Sequence, residues 1–146
     1  MPIPLTLLAA TFALCAQGPR TTCVVDGDTF WLNGEKVRIA DINAPETHSA
    51  GCPAEQALGD RATWRLIALL NAGPFTLEIE GRATDRYGRA LRVVKRGGRS
   101  LGGELVREGL AEPWRGRRSN LVRAACRRAA EPLALQMMDE GILKCC

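Results

Sequence analysis

The sequence predicts an α+β fold that is mainly β, with five short strands and about three helices. Three observations predict this fold: turn dipeptides within the β-branched stretch at residues 22–42, a helical apolar period over residues 53–71, and strand-like alternation over residues 75–80. At 146 residues, the chain fits one domain and is long enough to bury a hydrophobic core without requiring disulfides or metal ions.

Two short turns separate the first three predicted strands. Each turn is a dipeptide that ends in glycine, which is the signal for a two-residue hairpin: Asp26-Gly27 and Asn33-Gly34. We therefore expect strands over residues 22–25, 29–32 and 36–42.

A helix is predicted over residues 53–71. Pro53 suits the first helical turn, and Glu55 is favourable near the positive end of the helix dipole. The dipeptide Gly73-Pro74 then prevents continuation. An apolar face repeats at helical spacing through Ala57, Leu58, Ala62, Leu66, Leu69 and Leu70.

Two more strands and a second helix complete the predicted domain. Residues 75–80 place Phe75, Leu77 and Ile79 on one buried side, and residues 90–94 form the next strand. Ser100 caps a short helix that ends at Gly109. Five short strands with an interposed helix are typical of a small antiparallel barrel of the oligonucleotide-binding type, the OB-fold.

The net charge is +4, and 17 of the 20 basic residues are arginine. Arginine grips phosphate through a planar fork, so a basic, arginine-rich surface suits a polyanionic partner. An arginine excess also follows from genome base composition, and composition alone leaves both explanations open.

Residues 1–18 form an apolar stretch of signal-peptide length that is too short to span a bilayer. The alternative is a retained hydrophobic N-terminus, because no basic residue precedes the apolar run. Removal of a signal predicts a periplasmic or secreted monomer without stable membrane insertion. The mature chain would contain a folded domain over residues 22–118 and a helical extension over residues 119–146.

The six cysteines give modest support for export. A disulfide between Cys23 and Cys52 would tie the first strand to the loop before the helix, but sequence does not fix the pairing. No pair has CxxC spacing and His48 is the only histidine, which argues against a zinc site. With Cys15 removed in the signal, an odd number remain: Cys23, Cys52, Cys126, Cys145 and Cys146.

Polar residues cluster along the first three strands and the loop after them. Asp26 and Asp28 follow the first strand, Arg38 lies in the third, and Glu46 follows Pro45 eight residues later. An Asp-Gly pair alone usually indicates only a turn. Two acids with an arginine and a Pro-Glu corner indicate a phosphate-and-metal site.

Four motifs follow one another along the chain: Asp26-Gly27-Asp28-Thr29; Arg38 up to Pro45-Glu46; Thr84-Asp85-Arg86-Tyr87-Gly88-Arg89; and Leu105-Val106-Arg107-Glu108-Gly109-Leu110-Ala111. In order and spacing they resemble the staphylococcal (thermonuclease-like) nuclease family, whose fold is a five-stranded OB barrel with helices. The resemblance covers residues 22–115, and its third motif is the most distinctive.

The resemblance implies a calcium ion, or another divalent ion, held by three groups. These are the Asp28 carboxylate, the side chain of Asn43 and the backbone carbonyl of Ala44. Calcium accepts hard oxygen ligands with waters among them, so a sparse site is workable. The family has aspartate at the position of Asn43, and a neutral amide predicts weaker or altered metal binding. Asp41 is a further candidate through water.

The resemblance also implies the catalytic and substrate-binding groups. Glu46 matches the general base or water-orienting glutamate, and Arg38 and Arg89 match the two arginines that hold the phosphate. Tyr87 matches a tyrosine beside the nucleotide, and Trp114 lies near a second aromatic position.

These residues predict a metal-dependent phosphodiesterase or endonuclease that cleaves DNA, with RNA as a further candidate substrate, at low sequence specificity. The alternatives are a non-catalytic nucleic-acid-binding OB module with a weakened metal site and a secreted structural domain. Four residues also have plain structural interpretations: Asp26 as a turn former, Asp85 as a loop cap, and Trp31 and Trp64 as packing residues.

Overall fold

The computed structural model describes residues 10–116 and 120–139. Most of the predicted signal, the basic residues Arg117 and Arg118, and the closing Cys145 and Cys146 lie outside the described residues. The elements are β1 (Cys23–Asp26), β2 (Thr29–Leu32), β3 (Glu35–Ile39), β4 (Ile42–Asn43), α1 (Pro53–Asn71), β5 (Thr76–Glu78), β6 (Ala90–Arg96), β7 (Arg99–Ser100), α2 (Leu101–Arg107), β8 (Glu112–Pro113) and α3 (Asn120–Asp139).

The main sheet has the strand order β1-β2-β3-β6-β5, and β7 pairs with β6. The short strands β4 and β8 form a separate antiparallel pair. The expected mainly β, α+β class is confirmed, although the described residues form an open sheet. The expected antiparallel pairing is wrong at one place, because β3 and β6 run parallel after the chain crosses over through α1 and β5.

The two predicted turns form for different reasons. Asn33 and Gly34 have φ angles of 50° and 82°, so this turn needs residues that accept the left-handed region. Gly27 is required by close packing, because an added Cβ would lie 2.7 Å from the Cβ of Ala62 and 2.8 Å from that of Ala44. The glycine at this turn therefore lets α1 approach the end of β1.

Helix α1 spans the predicted residues. Cys52 is its N-cap, and the Cys52 Sγ accepts the backbone N–H of Glu55 at 3.4 Å. Its C-terminal half supplies the apolar face, with Leu66 and Leu70 fully buried. Its N-terminal half carries Gly59 and Ala62 against the backbone that follows β1 and β4.

Two strand predictions are wrong in detail. The third strand ends at Ile39 rather than Ile42, because a turn at Ala40 and Asp41 redirects the chain so that β4 can pair with β8. Ile79 is exposed rather than buried, since β5 ends at Glu78 and the chain leaves the sheet there.

The segment before β1 is part of the core. Phe12 is 3% exposed and packs edge-on against Phe30, with ring centroids 5.7 Å apart. The Asn71 side chain accepts the Phe12 N–H at 2.7 Å and donates to the Phe12 carbonyl at 2.9 Å. Removal of residues 1–18 stays a prediction, and it would take these contacts away.

Two disulfides join described residues, Cys15 to Cys23 and Cys52 to Cys126. The possible Cys23–Cys52 pairing is therefore wrong, because Leu14 pairs with Val24 and brings Cys15 beside Cys23. The second disulfide joins α3 to the N-cap of α1. No helix among the described residues is both long and apolar enough to cross a membrane.

Candidate active site

The turn after β1, the strands β3 and β4, and the loop before β6 surround one cleft of about 750 Å³. Of the eight predicted site residues, only Ala44 does not line this cleft. The other seven all do: Asp28, Arg38, Asn43, Glu46, Tyr87, Arg89 and Trp114. These seven residues, spread along the sequence from Asp28 to Trp114, thus lie around one cleft. Their catalytic roles stay predictions.

Asp28 joins the β1–β2 turn to the loop after β4. Its Oδ2 accepts the buried backbone N–H of Ala44 at 2.8 Å and lies 3.3 Å from Arg38 Nη2. Its Oδ1 accepts the Thr29 hydroxyl at 3.0 Å. Asp28 is 7% exposed, and its carboxylate is held by these three contacts rather than free to move with solvent.

Arg38 projects from β3 into the bend between β3 and β4. Its Nη1 donates to the carbonyls of Ile39 and Ile42, the latter at 2.9 Å. Its Nη2 lies 3.4 Å from Asn43 Oδ1. The planar fork is therefore fixed by carbonyls on one side and by Asp28 and Asn43 on the other.

Asp26 shapes the turn, since its Oδ1 accepts the Asp28 N–H at 3.2 Å, and it also lines the cleft. Burial, the charge of Asp28 and the more distant charge of Glu46 raise the pKa of Asp26 to about 8. Close carboxylates disfavour each other's ionisation, so Asp26 keeps its proton at neutral pH when no metal is bound.

Glu46 lines the same cleft and is open to solvent. Partial desolvation and the charges of Asp28 and Glu55 raise its pKa, whereas Arg38 and Arg89 lower it. The backbone N–H of Glu46 donates to Glu55 Oε1 at 3.3 Å. Its position therefore depends on the first turn of α1.

Arg89 enters the cleft just before β6. Asp85 accepts the backbone N–H groups of Tyr87 and Arg89, both at 2.9 Å, which is the loop-capping role predicted for it. Asp85 Oδ2 also lies 2.5 Å from Arg89 Nε. The Arg89 guanidinium lies 5.5 Å from the centre of the Tyr87 ring, and both residues line the cleft.

Two exposed aromatic side chains flank the cleft. Tyr87 is 69% exposed and Trp114 is 51% exposed. Each ring lies beside arginine, with Arg86 4.8 Å from the Tyr87 ring and Arg38 5.8 Å from the Trp114 ring. Large exposed rings beside arginine side chains offer surfaces on which bases can stack.

The donors in this cleft suit a hard cation. Asp26 and Asp28 supply carboxylate oxygens and Asn43 supplies an amide oxygen, and a divalent cation would offset the burial and the Asp28 charge that raise the pKa of Asp26. Among the described residues, no three His, Cys, Asp or Glu side chains form a metal-binding cluster. Any cation here would therefore need backbone carbonyls and waters as well.

Sequence reasoning missed Glu55 as part of the site and placed Asp41 too near it. Glu55 was visible as a first-turn acid of α1, but nothing in the sequence indicated that it reaches back to Glu46. Asp41 faces away from the cleft, because its Oδ2 accepts the Ser100 hydroxyl at 2.6 Å at the start of α2. Trp64 is a surface residue at 59% exposure, and Trp31 packs beside Lys36.

A sequence model described as "Staphylococcal nuclease homologue" matches residues 36–137, which is more than half of the chain. The chain belongs to the staphylococcal nuclease family. The match begins inside β3, so β1, β2 and the Asp26–Asp28 turn lie before it, while Arg38, Glu46 and Arg89 lie within it.

Curated members of the staphylococcal nuclease family are similar to this chain over part of their length. Endonuclease YncB of Bacillus subtilis is 38% identical over 92 residues, which cover 60% of this chain and 43% of YncB. The thermonuclease of Staphylococcus intermedius is 33% identical over 92 residues, which cover 60% of this chain and 54% of the thermonuclease. Micrococcal nuclease of Shigella flexneri is 36% identical over 107 residues, which cover 63% of this chain and 55% of the micrococcal nuclease. The chain spans about half the length of these relatives.

Proposed function

We propose that the protein is a calcium-dependent endonuclease that hydrolyses phosphodiester bonds in DNA, and in RNA as a second substrate, with low sequence specificity. The convergence of Glu46, Arg38 and Arg89 on the cleft that holds Asp28 carries this proposal. The names of the relatives, which include endonuclease and thermonuclease, support it.

Each residue has a part in hydrolysis. Glu46 orients the attacking water and accepts its proton, and its raised pKa brings its basicity closer to neutral pH. Arg38 and Arg89 approach the phosphate from two sides and neutralise the charge that develops on its oxygens. A bound calcium ion, held by Asp28, Asn43 and waters, would supply further charge neutralisation and orient the phosphate.

Tyr87 and Trp114 bind the bases on either side of the scissile bond by stacking. Stacking is tolerant of sequence because every base has a π-face, and it requires bases that are not paired in a duplex. Low sequence specificity and a preference for single-stranded or melted substrate follow from this mode of binding.

We further propose that the protein acts in the periplasm or outside the cell. The Cys52–Cys126 disulfide supports this location, because such bonds persist in oxidising compartments and this one does not depend on residues 1–18.

Digestion of denatured DNA and of RNA tests the proposed nuclease activity. We expect cleavage with calcium, less with magnesium, and none with chelator. Glu46→Ala and Arg38→Ala should each reduce cleavage by about two to three orders of magnitude. Binding without cleavage under every metal condition would instead favour the non-catalytic nucleic-acid-binding module.

The second candidate function, a nucleic-acid-binding module that does not cleave, rests on Asn43, because its amide supplies no charge to a metal. Asn43→Asp should lower the calcium concentration needed for half-maximal cleavage, because it adds a carboxylate beside Asp28. Asn120→Asp at the start of α3 is a matched control that makes the same change outside the cleft. An unchanged calcium requirement in Asn43→Asp would show that Asn43 is not a ligand.

A further inference from the structure

Glu55 is a buried acid whose carboxylate is used entirely by backbone groups of the loop before α1. It is 7% exposed, its Oε1 accepts the N–H of Glu46 at 3.3 Å, and its Oε2 accepts the N–H of Gly51 at 2.6 Å. Among residues 10–116 and 120–139, no basic side chain forms an ion pair with it. Its charge is stabilised by these N–H groups and by the first turn of α1.

The position of Glu55 in the helix makes this arrangement unusual. With Cys52 as N-cap, Glu55 is the third helical residue, where glutamate commonly bonds the N-cap N–H. Here the carboxylate reaches past the cap to Gly51 and, through its other oxygen, to Glu46. One side chain therefore closes the loop of residues 46–51 at both ends.

The same helix also supports the loop through its backbone. An added Cβ at Gly59 would lie 2.7 Å from the Glu46 carbonyl oxygen and 2.9 Å from the Pro45 carbonyl oxygen. The peptide units on both sides of Glu46 are thus fixed on α1, the N–H by Glu55 and the carbonyl by contact at Gly59. The backbone that carries the solvent-exposed Glu46 side chain is therefore held firmly against α1.

We propose that Glu55 is a positioning residue that holds Glu46 at the distance from the phosphate that hydrolysis requires. The proposal rests on the proposed nuclease function. Glu55 does not line the cleft, so it acts on the chemical step rather than on substrate binding. A misplacement of about 1 Å in a reacting group can cost about 100-fold in rate.

Kinetics of two Glu55 variants test this role. Glu55→Ala should lower kcat by about 10- to 100-fold and leave KM within about threefold. Glu55→Gln should recover part of the loss, because it keeps the side-chain volume and one acceptor oxygen for the Glu46 N–H. Ile67→Val, a buried change farther along α1, is the control for reduced stability and should keep the wild-type kcat. A fall in kcat no larger than that of Ile67→Val, or a change confined to KM, would overturn the proposal.

Amide hydrogen exchange tests the same contacts without substrate or metal. In Glu55→Ala, the Glu46 and Gly51 amides should exchange at least about tenfold faster, while amides at the C-terminal half of α1 keep their wild-type rates. Unchanged exchange at Glu46 would overturn the positioning role. If the wild-type protein fails to cleave nucleic acid, the proposed function fails, and the exchange result still decides whether Glu55 holds the loop.

Discussion

The Asp28 carboxylate accepts the backbone N–H of Ala44 at 2.8 Å, across 16 residues of sequence. This bond joins the turn between β1 and β2 to the loop that carries Glu46. Since the same oxygen faces Arg38 at 3.3 Å, the proposed metal ligand is also a structural link between two walls of the cleft.

We expect Asp28→Ala to lower stability and activity together. The buried Ala44 N–H would lose its acceptor, and an unsatisfied buried donor costs about 1–3 kcal/mol. Chemical denaturation in chelator should show a loss of that size in the free energy of unfolding, and nuclease assays should show no cleavage. Asp28→Asn keeps an acceptor but loses the charge, so it should recover stability without recovering activity. Full activity in Asp28→Asn would contradict the metal-ligand role.

Arg38→Lys should reduce kcat by about 100- to 1000-fold although the charge is preserved. A lysine ammonium is a point charge that cannot reproduce the planar contacts by which Arg38 is held to Ile39, Ile42 and Asp28, so its charge would be placed differently in the cleft. Steady-state cleavage of a short single-stranded oligonucleotide measures the effect. Arg92→Lys is the control, because Arg92 donates to the carbonyls of Ala83 and Leu91 and lies outside the cleft. Equal kcat values for the two variants would mean that charge alone suffices at residue 38.

The metal-free protein should lose stability as the pH rises from about 4 toward 8. The pKa of Asp26 is about 8 in the fold, against an ordinary value of 3.8, so over this range the folded chain holds a proton that the unfolded chain has released. Asp26→Asn removes this titration. In chelator, thermal melts should show a higher Tm than wild type at pH 8 and a similar Tm at pH 5. The same difference at both pH values would show that Asp26 does not titrate in this way.

The two disulfides should differ in their contribution to stability. Chain-entropy arguments assign about 4.5 kcal/mol to a closed loop of 74 residues and about 2.5 kcal/mol to one of 8 residues. Cys126→Ser should therefore lower the free energy of unfolding more than Cys15→Ser does. Denaturation of both variants, with the reduced wild-type protein as reference, measures the two losses. A larger loss in Cys15→Ser would show that the contacts of the N-terminal segment outweigh loop closure.

The local elements could be predicted from the sequence because their signals are local. The Pro53 start, the apolar period and the Gly73-Pro74 stop determine α1, and Ser100 determines the start of α2 through a side-chain bond to Gly103. The grouping of Asp28 with Arg38 and Glu46 was predictable from motif order and spacing.

Contacts that form only because the chain folds back on itself could not be predicted from the sequence. Cysteine counts do not reveal that Leu14 pairs with Val24 and places Cys15 beside Cys23. The apolar residue Phe12 fits a signal sequence as well as a core, and no local pattern reveals its contact with Phe30. The Glu55 carboxylate reaches nine residues back to Glu46, a direction that no periodicity encodes.

The Cys52–Cys126 disulfide also bears on how the protein would survive proteases. The segment between β5 and β6 is exposed and contains Arg82 and Arg86, where an arginine-directed protease could cut. Both cut ends lie within the ring that this disulfide closes, so the two fragments would stay covalently joined. One fragment would carry Asp28, Arg38 and Glu46 and the other Arg89 and Trp114. A nicked molecule would thus retain every wall of the cleft until a reductant released them.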